Sequence, residues 1–193
     1  IEALQPKEKA PHEITAAARQ TAVNELKKPK LLQRTGQLIQ QCGIVGEEEN
    51  SLIAYLIYTK RKQEIPLHVM FLGSSGSGKT YLQERISELI PEEDKLEITQ
   101  ITENALYYFK QEELKNKLLL IEDLDGAMTV FYPLRELQTK RRISKTVTLK
   151  DSKGNLKTIT LTVEGPVCVS GCTTKEKIYE DNANRCILLY TDQ

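Results

Sequence analysis

Residues 71–82, FLGSSGSGKTYL, decide how the fold is read. Gly73 is followed, after four residues, by Gly78-Lys79-Thr80, the spacing G-x-x-x-x-G-K-[ST] of a phosphate-binding loop. The preceding LHVMFLG is an apolar run of strand length, and the following KTYLQERISELI has helical spacing up to Pro91. That strand–loop–helix context argues against a Ser/Gly linker. Gly73, Gly76 and Gly78 let backbone N–H groups turn inward onto phosphate oxygens, and the helix that follows adds its positive end. Ser74, Ser75 and Ser77 complete the loop, and Tyr81 follows it. Lys79 is expected to reach the β- and γ-phosphates, and Thr80 to hold Mg²⁺ through its hydroxyl.

Working outward, helices are expected over 14–27, from Pro29 to about Cys42 with Leu31, Leu32, Leu38 and Ile39 apolar, and after Glu47–Glu49. The third helix presents Leu52, Ile53, Leu56 and Ile57 as its apolar face. Lys60, Arg61 and Lys62 close it, the charge order a helix dipole favours. Downstream, KLEITQIT and LLLIED read as strands, the second apolar throughout as central parallel strands tend to be. ENALYYFKQEELKNK is a helical or irregular crossover, and 129–142 is a further helix limited by Pro133. The period then changes to two. KTVTLK and LKTITLTV flank the turn chemistry of DSKGN, which predicts a β-hairpin. PVCVSGC and RCILLYT are the fourth and fifth core strands. Strands alternating with helices imply a three-layer αβα fold with a five-stranded parallel sheet, carrying the hairpin as an insertion.

The 193 residues fit one domain with an appendage, and 39% hydrophobic residues suffice for an ordinary core. Zero formal net charge argues against a protein that coats nucleic acid through a global basic field. With no Trp, a broad base-stacking platform is not expected. Cys42, Cys168, Cys172 and Cys186 form no C-x-x-C pair; the last three lie in apolar runs and read as small buried hydrophobes, and a reduced, cytoplasmic protein is expected. No apolar run reaches membrane-spanning length, so no membrane partner is expected.

Three further groups carry chemistry. LLLIEDLD ends a buried strand in Glu122 and Asp123, the carboxylates that triphosphate hydrolysis needs for metal and for water; Asp125 looks like a supporting or capping residue. Arg185 in NANRC is either a surface residue or a cation reaching the γ-phosphate held by a neighbouring subunit. The hairpin carries Lys150, Lys153 and Lys157, with Lys140, Arg141, Arg142 and Lys145 leading into it. These cations either track a phosphate backbone or guard a solvated sheet edge.

The order of these motifs resembles that of the AAA+ ATPases, in the branch with a hairpin inserted before the sensor-1 strand, which includes the minichromosome-maintenance (MCM) helicases. It is most like the ATPase domain of primase–helicase proteins of phages and mobile elements. CGIVGEE, GSSGSGKT, LLLIEDLDGA, the hairpin, VEGPV, CTT and NRCILLYTD carry the likeness, from about residue 20 onward. It implies an N-terminal linker and helical extension over 1–43 and an AAA+ core over 44–193, with the C-terminal lid domain absent through truncation. It also implies ATP and Mg²⁺ as cofactors, with Ile44 and Val45 packing on the adenine and Gly73 to Thr80 as the Walker A loop. Glu122 and Asp123 match the Walker B pair, Thr173 the sensor-1 residue, Arg185 the finger acting in trans, and Lys153 a tip contact to single-stranded DNA. A homo-oligomeric ring, a hexamer, is the implied assembly. The acids stand in the order Glu then Asp, the reverse of most of the superfamily, which leaves open which is the base. Sensor 1 is Thr where MCM proteins use Asn. The function implied is the motor core of a mobile-element DNA helicase; the alternatives are a protein-remodelling ATPase and a slow nucleotide switch such as a helicase loader.

Overall fold

Strands covered on both faces organise the molecule, and they are mostly apolar for that reason. In the computed structural model, which describes residues 13–125, 128–150, 154–175 and 178–191, these are β1 (Val69–Leu72), β3 (Lys117–Ile121), β6 (Val167–Thr173) and, less completely, β7 (Ile187–Tyr190). With β2 (Lys95–Ile98) they form one parallel sheet in the order β2-β3-β6-β1-β7. Val69 and Phe71 point to one face, Met70 and Leu72 to the other. One face is covered by α3 (Glu48–Thr59) and α4 (Lys79–Ser87), with Ile57, Tyr58, Leu82 and Ile86 buried between helix and sheet. The other is covered by α5 (Phe131–Lys140), by the 3-10 turn Ala105–Tyr108 and by the base of the hairpin. The three-layer αβα core with five parallel strands is as expected. α1 (Ala16–Lys27) is capped by Thr15 and buries no side chain; α2 (Leu31–Gln41) reaches the core through Ile39.

The hairpin pairs β4 (Arg142–Lys150) with β5 (Leu156–Glu164) over nine residues each, separate from the main sheet. Ile143 and Val163 anchor its base in the core. A four-residue helix, α6 (Glu180–Ala183), precedes β7.

Two expectations about helices are corrected. Pro29 lies outside the first turn of α2, because Lys30 between them adopts a left-handed conformation (φ 58°). The buried face of α3 is Ser51, Ala54, Ile57 and Tyr58; Ile53 and Leu56 are 37% and 42% exposed. α3 is apolar nearly all round, so hydrophobicity does not choose its inner face. Small Ala54 permits close approach, and the Tyr58 hydroxyl finds Ser170 Oγ at 2.8 Å in the core. That buried hydroxyl pair extends to Gln83, whose amide donates to Ser170 at 2.9 Å.

Cys168 and Cys172 are buried free thiols, each pushed up to about 12 by burial, as structural cysteines should be. Among the described residues no helix is long and apolar enough to cross a membrane.

His68, just before β1, is buried with its Nδ1 accepting from Val169 N at 3.2 Å, and burial lowers its pKa from 6.5 to about 4. The folded state thus refuses a proton that the unfolded chain takes up below pH 6.5, so stability falls as pH drops through that window toward 4. Between pH 7 and pH 5 the loss is expected to be about 2 kcal/mol. The urea midpoint at the two pH values measures it, and His68→Gln, which keeps an acceptor for Val169, should largely flatten the dependence.

Candidate functional site

The phosphate loop leaves β1 at Gly73 and enters α4 at Lys79. Gly76 and Gly78 have φ of 82° and 83°, the left-handed region that side chains disfavour. Gly73 is required for a different reason. A Cβ there would lie 2.6 Å from both Ser77 Oγ and Thr191 Oγ1 and 2.7 Å from the Thr191 carbonyl oxygen. Thr191, directly after β7, donates its N–H to Leu72 O at 2.8 Å, and its hydroxyl sits 2.8 Å from Ser77 Oγ. The loop is therefore braced from the edge strand by a residue the motif does not include. Its only sequence signal was a polar residue following the apolar run ILLY.

Lys79 is buried, with Nζ 2.8 Å from Gly73 O and 2.5 Å from Ser74 O, so its charge is held over the loop. The Cys172 thiol donates to Gln83 Oε1 at 3.4 Å; burial raises its pKa most, with Thr80 and Lys79 working to lower it and Glu122 and Glu84 to raise it further. Thr80, Lys79 and Glu122 thus converge around the end of β6. Thr80 and Glu122 offer the hydroxyl and carboxylate oxygens that a phosphate-bound Mg²⁺ would take. Among the described residues no cluster of three or more His, Cys, Asp or Glu forms a self-sufficient metal site.

The register explains the convergence. Ile121 of β3 stands beside Gly171 of β6, and Thr173 of β6 beside Leu72 of β1. The residues that follow, Glu122 and Asp123 on one side and Gly73 on the other, therefore flank Thr173 at the C-terminal ends of the strands. Leu124 N donates to Cys172 O at 3.0 Å and holds the acidic turn against β6. Asp125 closes the arrangement. Its Oδ1 accepts from the Thr173 hydroxyl, and its Oδ2 accepts from Thr174 N at 2.8 Å and Thr174 Oγ1 at 2.5 Å. Burial works to raise the Asp125 pKa, but these bonds and Lys175 outweigh it and hold the carboxyl below its ordinary range.

Ile44 and Val45 are separated by the structure. Ile44 is in the core, while Val45 is 88% exposed, so of the pair only Val45 offers its side chain outward. Tyr81 is half exposed, with the Arg85 guanidinium 5.2 Å from its ring centre. Arg185 lies before the opposite, N-terminal end of β7. It precedes Ile187, which pairs with Val69, whereas the loop follows Leu72, which pairs with Tyr190. At about 3.3 Å per residue the strand from Ile187 to Tyr190 spans roughly 10 Å. Its guanidinium bonds Thr139 Oγ1 at 3.1 Å and the Asp181 carbonyl oxygen.

On the hairpin, Lys153 lies outside the described residues. Lys150 pairs with Leu156 and Lys157 with Leu149, adjacent rungs of the ladder, so the two lysines project from opposite faces. Lys140 is paired with Glu136 at 2.5 Å, Arg141 reaches the Glu64 carbonyl oxygen at 3.3 Å, and Lys145 sits 5.3 Å from the Tyr107 ring centre. One face of the ribbon is a ladder of threonines, with Thr146–Thr160 at 3.1 Å and Thr148–Thr158 at 3.4 Å.

Fold and loop together define a P-loop domain. The chain belongs to the MTBMA_p00010 P-loop domain family, whose model matches residues 14–170. No curated protein sequence matches it significantly. Among solved structures it is similar to a full-length MCM homologue from Methanopyrus kandleri, with a TM-score of 0.62 and 14% identity over 93% of this chain. The chain spans 42% of that protein's length, and the likeness is one of fold. NtrX from Brucella abortus (TM-score 0.47, 11% identity, 93% of this chain and 45% of that one) is also similar. So is the NrS-1 C-terminal region (TM-score 0.42, 19% identity, 86% of this chain and 38% of that one).

The two kinds of loop glycine should respond differently to alanine. Gly73→Ala is expected to cost about 1–3 kcal/mol through overpacking. Thr191→Ala should relieve only part of it, since the Thr191 carbonyl oxygen also obstructs. Gly76→Ala, with no atom near its Cβ, should cost only the left-handed strain of about 1–2 kcal/mol. Urea midpoints of the three variants check this; a Gly73→Ala protein as stable as wild type would contradict the close approach.

Proposed function

We propose that the chain is the ATP-hydrolysing motor core of an MCM-like DNA helicase that serves replication of a phage or other mobile element. The observation that carries this reading is the placement of the candidate residues. The phosphate loop, Glu122, Asp123 and Thr173 gather at the C-terminal ends of β1, β3 and β6, and Arg185 precedes the opposite, N-terminal end of β7. A site built this way is completed by a neighbouring copy, which is the requirement of a ring motor.

In this reading the loop N–H groups and Lys79 bind the β- and γ-phosphates, and Val45 and Tyr81 border the nucleotide. Thr80 and Glu122 would hold Mg²⁺, which when bound neutralises charge developing on the phosphates. Glu122, which leaves β3 directly after Ile121, is given the metal side in this reading. Asp123 is then the base. Its Oδ1 accepts from Asp125 N at 2.8 Å, leaving the other oxygen for the attacking water. The water oxygen bonds to the γ-phosphorus as the bridging β–γ oxygen leaves, and Asp123 takes the water's proton. Arg185 of an adjacent copy supplies positive charge at the γ-phosphate, and successive sites move the hairpins along single-stranded DNA in a homo-oligomeric ring, a hexamer.

One observation favours a protein substrate instead. Leu149 and Leu156, near the hairpin tip, are 48% and 71% exposed, and polypeptide-engaging loops are commonly apolar.

ATPase turnover of the intact protein with and without single-stranded DNA separates the two. DNA should stimulate turnover, and Lys150→Ala combined with Lys157→Ala should reduce the stimulation while leaving basal turnover intact. Stimulation by unfolded polypeptide and not DNA, lost in Leu156→Ser, would move the assignment to protein remodelling.

A further inference from the structure

We propose that Asp125 is a positioning residue that decides which hydrogen bond Thr173 can make during hydrolysis; this rests on the ATPase reading above. A threonine hydroxyl has one hydrogen to donate and two lone pairs. The Thr173 hydrogen is committed to Asp125 Oδ1, and one lone pair accepts from Lys175 N at 3.1 Å. One lone pair remains. Thr173 can therefore take a hydrogen bond from the attacking water but cannot give one to a γ-phosphate oxygen. This narrows the role open to a sensor-1 threonine, and the narrowing comes from Asp125.

Asp125 is built to hold that arrangement. Its second carboxylate oxygen is engaged by Thr174 N and Oγ1, so the carboxylate is fixed at both ends and cannot rotate away cheaply. Its backbone N–H donates to Asp123 Oδ1, so the same residue orients the proposed base through its main chain and Thr173 through its side chain. Leu124 between the two acids is buried against Gly171, where an added Cβ would lie 2.3 Å from Leu124 Cδ1, which sets the turn rigidly on β6. Asp123, Asp125 and Thr173 thus form one connected unit around the position of the water. The carboxylate of Asp125 touches neither substrate nor metal in this scheme and acts only through its neighbours.

Steady-state ATPase kinetics of the intact protein test this with Asp125→Ala, Asp125→Asn, Thr173→Val and the Asp125→Ala/Thr173→Val double variant, each checked for a thermal unfolding transition. Asp125→Ala should lower kcat on the order of 10- to 100-fold with KM for ATP unchanged, because the water is misplaced and nucleotide binding is not. The double variant should be no slower than the slower single, since the two act as one unit. Asp125→Asn, whose amide oxygen can still accept the Thr173 hydrogen but whose NH2 then faces Thr174 N–H, should turn over faster than Thr173→Val and below wild type, even if the alanine variant fails to fold. Rate losses that multiply in the double variant, a rise in KM in place of a fall in kcat, or an Asp125→Asn protein as slow as Thr173→Val would overturn the proposal. Absence of turnover in wild type itself would overturn it together with the ATPase reading.

Discussion

The parallel register of β3, β6 and β1 is the constraint on which the site depends. A parallel ladder has no freedom to slip by one residue without turning every buried side chain to the wrong face. Here both faces are packed, with Leu119 and Ile121 against one layer and Leu118 and Leu120 against the other. With the register locked, the residues that leave the three strands at the same end are determined: Gly73 from β1, Thr173 from β6, Glu122 from β3. The phosphate loop, the acids and the threonine meet because hydrophobic packing several residues away permits no other alignment.

Polar contacts then refine what packing establishes. Thr191 braces the loop at Leu72 O and Ser77, Leu124 N pins the acidic turn to Cys172 O, and Asp125 ties that turn to Thr173 and Thr174. Such buried or half-buried bonds are individually worth about 1 kcal/mol to stability, and more where a charge takes part. Their weight is in geometry, since misplacing a reacting group by about 1 Å can cost on the order of 100-fold in rate. The buried line Cys172–Gln83–Ser170–Tyr58 continues the network from the loop side of β6 into α3.

Much of this was legible in the sequence, for identifiable reasons. β1, β3 and β6 are mostly apolar because both faces are covered, and the hairpin alternates because it stands apart from the sheet. Both patterns are local. What required the third dimension was relational. The inner face of α3 could not be read from hydrophobicity, because Leu52, Ile53, Leu56 and Ile57 compete with Ala54 and Tyr58 on a helix that is apolar all round. Lys150 and Lys157 look like neighbours in sequence, but the pairing of Lys150 with Leu156 places them on opposite faces. Asp125 resembles an ordinary cap until β6 brings Thr173 and Thr174 against it. Thr191 lies outside the phosphate-loop motif, and its bracing of that loop is visible only through the parallel pairing of β7 with β1.

The same topology sets Arg185 at the opposite strand end from the loop, and the central claim is that a catalytic site forms between copies. It is tested most directly by mixing two inactive variants of the intact protein, Lys79→Ala and Arg185→Ala. If Arg185 completes the site of a neighbour, equal random mixing should restore about one quarter of wild-type turnover, since each site needs its loop from one variant and its arginine from the other. If the mixture stays as inactive as its components, or if Arg185→Ala alone hydrolyses ATP at the wild-type rate, the site does not lie between copies in this way.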